Sequence, residues 1–218
     1  MGKPKTGRAG MPQDIFESGF KFPERVDILA PGPQGKSMWD RLGPWVMTVN
    51  KGIDIPVDPD AWMVADWWAV KTDWFPRMDK EYKGIRFFSE GLVSKRTAEV
   101  AEAEYKYKLL DGRKCTFPLG SALYGEPIPG VLRPDGSVSA CAVEAAARLG
   151  AKEIVLCGAD MFGNIYYDGG PSSSVDCSHN GIWAFAPYMN SLIEWVKEQG
   201  VEIYSISPTA LDIEVRSG

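Results

Sequence analysis

The chain has 218 residues, 44% of them hydrophobic and 24% charged, with a formal charge of −5 at pH 7. That length suits one buried core better than two independent domains, and the composition argues against disordered, collagen-like and coiled-coil classes. The mildly acidic balance disfavours a phosphate-tracking nucleic-acid partner, and no apolar run approaches the roughly 20 residues of a membrane-spanning helix.

The first ten residues carry Lys3, Lys5 and Arg8 with no apolar stretch behind them, so they do not read as a signal peptide and a cytoplasmic protein is expected. Residues 1–22 are rich in Gly, Pro and Lys and lack periodicity. They read as a mobile or loosely docked arm ahead of a single domain spanning 23–218. Val26 to Ala30 is a β-branched run stopped by Pro31-Gly32-Pro33-Gln34-Gly35, which predicts a strand and a Gly/Pro loop. Further strands are predicted at Trp45 to Asn50, at Ala61 to Ala65 ending in Asp66, and at Ile85 to Ser89. Trp62, Trp67, Trp68 and Trp74 read as core or a hydrophobic wall.

A helix is predicted from Thr97 to Leu110 on its Ala, Glu and Lys content. Residues 117–136 are Gly/Pro-rich and unassigned, an irregular insertion that reads as a lid or an acceptor-binding element. The pattern then sharpens. Ser137 opens an Ala-rich helix that stops at Gly150, and Glu153 to Cys157 is an apolar strand ending in Gly158-Ala159-Asp160. A helix from about Gly181 to Gly200 places Phe185, Met189, Leu192, Ile193 and Val196 at helical spacing, and Val201 to Ser205 gives a final strand. This alternation predicts an α/β, Rossmann-like, mostly parallel sheet flanked by helices. Four cysteines without a C-x-x-C pair and a single histidine make a zinc site a poor reading; Cys141 and Cys157 read as reduced, buried side chains.

In open parallel sheets ligands bind beyond the carboxyl ends of the strands. Candidate groups fall at four such ends: Gly32, Pro33 and Gln34; Asn50; Asp66; and Gly158 with Asp160. A Gly-rich turn allows close backbone approach and aims N–H groups at an anion, and Ser137 and Ser139 lie at a helix start. Each also has a plain structural reading, as a turn residue or a helix cap. G-x-G-x-x-G, the Walker loop, G-x-S-x-G and H-E-x-x-H are all absent. His179 suits a general base by its pKa but reads equally as a loop histidine without a task. Tyr166 and Tyr167, beside Asp168, can offer hydroxyls to a leaving phosphate or simply sit on a surface loop.

The stretch from Ser137 to Asp168, SVSACAVEAAARLGAKEIVLCGADMFGNIYYD followed by Gly169, resembles the central motif of bacterial sialyltransferases of glycosyltransferase family 42. It is similar too to a wider group of domains of unknown function that includes motility-associated glycosyltransferase-like proteins and a pterin pyrophosphokinase. Ile28 to Pro33 resembles the family's strand and G-x-G-P-S loop, with Gln34 in place of the Ser, and Thr48 to Asn50 its second strand. Ser178-His179 and Ile203 to Pro208 resemble its C-terminal portion.

The resemblance implies a transferase that moves a sugar, sialic-acid-like, from a cytidine-monophosphate-activated or other nucleotide donor to an acceptor hydroxyl. On that reading Gly32, Pro33, Gln34, Asn50, Asp66, Ser137, Ser139, Gly158 and Asp160 line the nucleotide site. His179 is the base, Tyr166 or Tyr167 supports the phosphate, and no metal or other cofactor is required. The partners are a nucleotide-activated sugar and a glycan or small-molecule acceptor; peripheral membrane association and homo-oligomer formation are compatible with it. Two alternatives stand beside it. One is pyrophosphokinase-like chemistry with Mg²⁺ held by Asp66 and Asp160, because Asp66 stands where the sialyltransferases tend to have Asn. The other is a nucleotide-binding module without catalysis.

Overall fold

The computed structural model describes residues 13–65, 69, 72–89, 92, 114–117, 130–132, 137–161, 167–169 and 186–216. Eight strands form one sheet: β1 (Gln13–Asp14), β2 (Arg25–Leu29), β3 (Val46–Val49), β4 (Ala61–Val64), β5 (Ile85–Ser89), β6 (Lys114–Phe117), β7 (Glu153–Cys157) and β8 (Glu202–Ser205). Their spatial order is β1-β6-β5-β4-β3-β2-β7-β8, and every neighbouring pair is parallel. The α/β Rossmann-like class predicted from the alternation is the one observed.

Parallel strands must be covered on both faces, which explains their continuous apolar runs. On one face Val26, Ile28, Met47, Met63, Phe87, Ile154, Leu156 and Ile203 pack under α2 (Val138–Arg148) and α3 (Ala186–Glu198). On the other, Leu29, Val155, Cys157 and Tyr204 lie under a 3-10 helix at Pro33–Arg41. There Trp62, Val64 and Phe88 also pack against α1 (Trp74–Glu81) and against Ile53 of a second 3-10 helix, Asn50–Asp54. Trp62 and Trp74 are core residues, as expected; Trp67 and Trp68 lie outside the described residues. Cys141 and Cys157 are buried thiols, as expected.

Helix α2 owes its position to small side chains. Ala140, Cys141, Ala142, Ala145 and Ala146 are completely buried, so the backbone lies close to the central strands. Ser137 caps it in extended geometry, its Oγ accepting the Ser139 amide at 3.2 Å. The one acidic side chain of this helix, Glu144, is fully buried and paired with Arg148 at 3.0 Å. The Arg148 guanidinium also lies 4.2 Å from the Phe16 ring centroid.

The segment expected as an arm is docked over its described part. Gln13–Asp14 pairs with β6, Ile15 and Phe22 are buried, and the Phe22 amide donates to the Leu149 carbonyl at 3.0 Å. Edge-to-face contacts join Phe22 to Phe20 and Trp45. The expected Gly/Pro loop after β2 is instead helical from Pro33, whose fixed φ suits the first helical position. The helix predicted at 97–110 and most of the 117–136 insertion fall outside the described residues. Among the described residues no helix is long and apolar enough to cross a membrane.

Candidate functional site

The sheet order reverses between β2 and β7. From β2 the chain steps to β3, β4 and β5 on one side, and returns with β7 and β8 on the other. Such a reversal opens a crevice beyond the carboxyl ends of the two strands. Here that crevice has a closely built floor. Ladder bonding continues past the strand ends, from the Ala30 amide to the Cys157 carbonyl at 2.8 Å and from the Gly32 amide to the Gly158 carbonyl at 3.0 Å.

Two glycines make that approach feasible. A Cβ on Gly32 would stand 2.2 Å from the Gly158 carbonyl and 2.6 Å from the Asp160 carboxyl. Gly158 has φ +73, and a Cβ there would stand 2.4 Å from the Ala30 carbonyl. The turn is buttressed by the segment after β8: Ser207 Oγ accepts the Gly158 amide at 2.8 Å, Thr209 Oγ1 donates to the Ala159 carbonyl at 2.7 Å, and the Ala210 amide donates to the Asp160 carbonyl at 2.8 Å.

The Gly/Pro turn was expected to aim N–H groups at an anion. Instead the Gly32 amide donates to Gly158, Gln34 to Asp160 Oδ2 at 2.9 Å, and Gly35 to the Gly32 carbonyl at 3.3 Å; Pro33 has none to give. The cause is the close packing of the two turns, which brings a carboxylate to the 3-10 helix start where an external anion would otherwise sit.

Asp160 itself is buried. Burial lifts its carboxyl to about 6, with the Gln34 amide opposing that rise. Oδ2 holds the Gln34 hydrogen bond, and Oδ1 is buried with no hydrogen-bond partner among the described residues. Cys157, beneath it, has its thiol pushed up to about 12 by burial and then by the Asp160 charge; it stays protonated and inert.

The rim is polar. Asn50 directly follows β3, the strand beside β2, with φ +45, and its carbonyl accepts the Trp62 indole N–H at 3.0 Å. Tyr167 docks against the β2 turn: its amide donates to the Pro31 carbonyl at 2.8 Å, and its ring meets Trp39 edge-on at 5.6 Å. Burial first, then the nearby Asp54 and Asp168 charges, push the Tyr167 phenol up to about 12, so it remains a donor. Lys51 pairs with Asp168 at 2.5 Å and Arg77 with Asp54 at 2.5 Å. Since α2 runs into the start of β7 and packs across β2, β3 and β4, its Ser137 end points to this same carboxyl edge.

Gly32, Pro33, Gln34, Gly158, Asp160 and Tyr167 therefore form one cluster, with Asn50 at the adjoining strand end. Ser137 is engaged in capping its own helix and Ser139 is buried within the first turn. His179, Tyr166 and Asp66 lie outside the described residues. Sequence reading missed Ser207, Thr209 and the Lys51–Asp168 pair, which only tertiary contact brings to the site.

No family model and no curated protein matches this chain. Among solved structures it is similar to the monofunctional α-2,3-sialyltransferase Cst-I from Campylobacter jejuni, at 15% identity and a TM-score of 0.50 over 93% of this chain and 86% of that one. It is similar to the sialyltransferase CST-II solved with a trisaccharide acceptor and CMP, at 15% identity and a TM-score of 0.50 over 88% of this chain and 85% of that one. A further structure, the sialyltransferase CstII of Campylobacter jejuni in complex with CMP-3FNeuAc, aligns at 16% identity and a TM-score of 0.49 over 88% of this chain and 86% of that one. At such identities the likeness to Cst-I and to CST-II shows a shared fold.

Proposed function

We propose that this chain is a glycosyltransferase-like enzyme that takes a nucleotide-activated sugar, of the cytidine-monophosphate-linked, sialic-acid-like kind, and transfers the sugar to an acceptor hydroxyl. One observation carries the reading: the β2–β7 crevice, floored by Gly32 and Gly158, occupies the switch point of the sheet. Its support from outside is the fold shared with Cst-I and with CST-II, the latter solved with an acceptor trisaccharide and CMP.

In the reaction so assigned, His179 takes the proton of the acceptor hydroxyl as its oxygen attacks the anomeric carbon. The bond from that carbon to the phosphate oxygen breaks as the new glycosidic bond forms, through a transition state with oxocarbenium character. The departing nucleotide carries the electron pair away. Tyr166 or Tyr167 donates a hydrogen bond to the phosphate as its charge grows. A neutral Tyr167 phenol on the rim of the crevice is consistent with that task.

Magnesium-dependent pyrophosphoryl transfer, with Mg²⁺ on Asp66 and Asp160, is the second reading, and Asp66 lies outside the described residues. Mg²⁺ requires near-octahedral oxygen ligation and retains several waters, whereas Asp160 has one oxygen bound to the Gln34 amide and the other enclosed. Calorimetric titration with cytidine 5′-monophosphate and with adenosine triphosphate, each with and without Mg²⁺, tests the assignment. Metal-independent binding of the cytidine nucleotide is expected. Binding of adenosine triphosphate only in the presence of Mg²⁺ would favour the pyrophosphokinase reading. Cytidine-nucleotide binding with no transfer from any activated donor, unaffected by His179→Ala, would reduce the protein to a binding module.

A further inference from the structure

A nucleotide in the β2–β7 crevice brings a phosphate to a floor that already holds a carboxylate and whose turn amides are engaged within the protein. Like charges in such a setting repel unless a cation stands between them or beside them. The rim supplies one. Lys51 immediately follows Asn50 in the 3-10 turn after β3, the strand next to β2. Its ammonium is held at 2.5 Å by Asp168, which follows Tyr167, the residue docked on Pro31 beside the Gly32 turn. The two partners differ in exposure: 17% for the Lys51 side chain and 38% for Asp168. The cation is thus largely enclosed at the rim, while its counter-ion can return to water at little cost. Arg77, a cation near Tyr167, is by contrast 53% exposed, sits on α1 and pairs with Asp54.

We propose that Lys51 is the residue that binds the donor's phosphate, and that Asp168 holds the Lys51 ammonium in place until the nucleotide displaces it. The proposal rests on the nucleotide-site reading above and adds to it a cation that the resemblance does not supply. A phosphate outcompetes the Asp168 carboxylate because it offers three acceptor oxygens and a higher charge density. The exchange leaves the partly enclosed cation paired in both states, so no uncompensated charge is created.

Titration of the full chain with cytidine 5′-monophosphate and with cytidine separates the phosphate contact from the base and sugar contacts. Lys51→Met is expected to weaken nucleotide binding about tenfold or more and to leave cytidine binding unchanged. Lys51→Arg, which keeps the charge, is expected to retain most of the affinity. Asp168→Asn is expected to tighten nucleotide binding by up to about fivefold, since it removes the competitor. Opposite signs for the two positions are the signature. Unchanged nucleotide affinity in Lys51→Met, or equal weakening by Lys51→Met and Asp168→Asn, would overturn the proposal and leave the pair a loop latch. A wild-type chain that binds neither cytidine nor its monophosphate would instead overturn the nucleotide reading itself, and this inference with it.

Discussion

Burial of Asp160 and the amide of Gln34 act on one carboxyl in opposite directions, and burial wins, leaving it near 6. The folded chain therefore holds this proton more tightly than the unfolded chain, whose aspartate titrates near 3.8. The linkage sign follows: this group favours folding most at pH values below the unfolded pKa. That contribution is lost as pH rises from about 4 through about 6, and stays absent above. The amount at stake is on the order of 2 kcal/mol. Asp160→Asn removes the titration, so the stability of the variant relative to wild type should improve by about that amount between pH 4 and pH 7, measured by urea unfolding at each pH. Parallel profiles would contradict the burial argument. Gly32 and Gly158 set the other constraint at this scale. Their missing side chains let two turns share a floor, and this explains why turn glycines here do not act as an open amide cradle.

At the scale of elements, the segment after β8 holds the β7 turn in shape through Ser207, Thr209 and Ala210. Ser207→Ala leaves the Gly158 amide buried without its acceptor, which should cost about 1–3 kcal/mol. Thermal denaturation should show the loss, together with faster amide exchange at Gly158; an unchanged melting temperature would remove the buttress from the account. Elements with strong local signals were legible in the sequence. Ile85–Ser89 and Glu153–Cys157 are β-branched or aromatic runs ending at Gly or Glu, and they fold as strands with the predicted bounds. Gln13–Asp14 and Lys114–Phe117 were not legible: two and four residues long, they become strands only by pairing with each other and with β5. Pro31 to Gly35 signalled a break in the chain but not the 3-10 turn that the Pro33 ring initiates. Of the site, Gly32, Gly158 and Asp160 were readable because they fall within three residues of a strand's end. Lys51 and Asp168 were not, being 117 residues apart and joined only by the fold.

At the scale of the whole molecule, the proposed function depends on where the strand order reverses. With β7 beside β2 at that reversal, chain turns from distant parts of the sequence meet at one edge, and α2 directs its amino end to the same edge. The sheet and its two covering layers fix that convergence; the loops tune what can enter. The most direct test is a crystal structure of the full chain soaked with cytidine 5′-monophosphate. The account predicts nucleotide density between the Gly32 turn, Asn50 and the Ser137 helix tip, with the phosphate near Lys51. Density at the opposite, amino-terminal edge of the strands would contradict it.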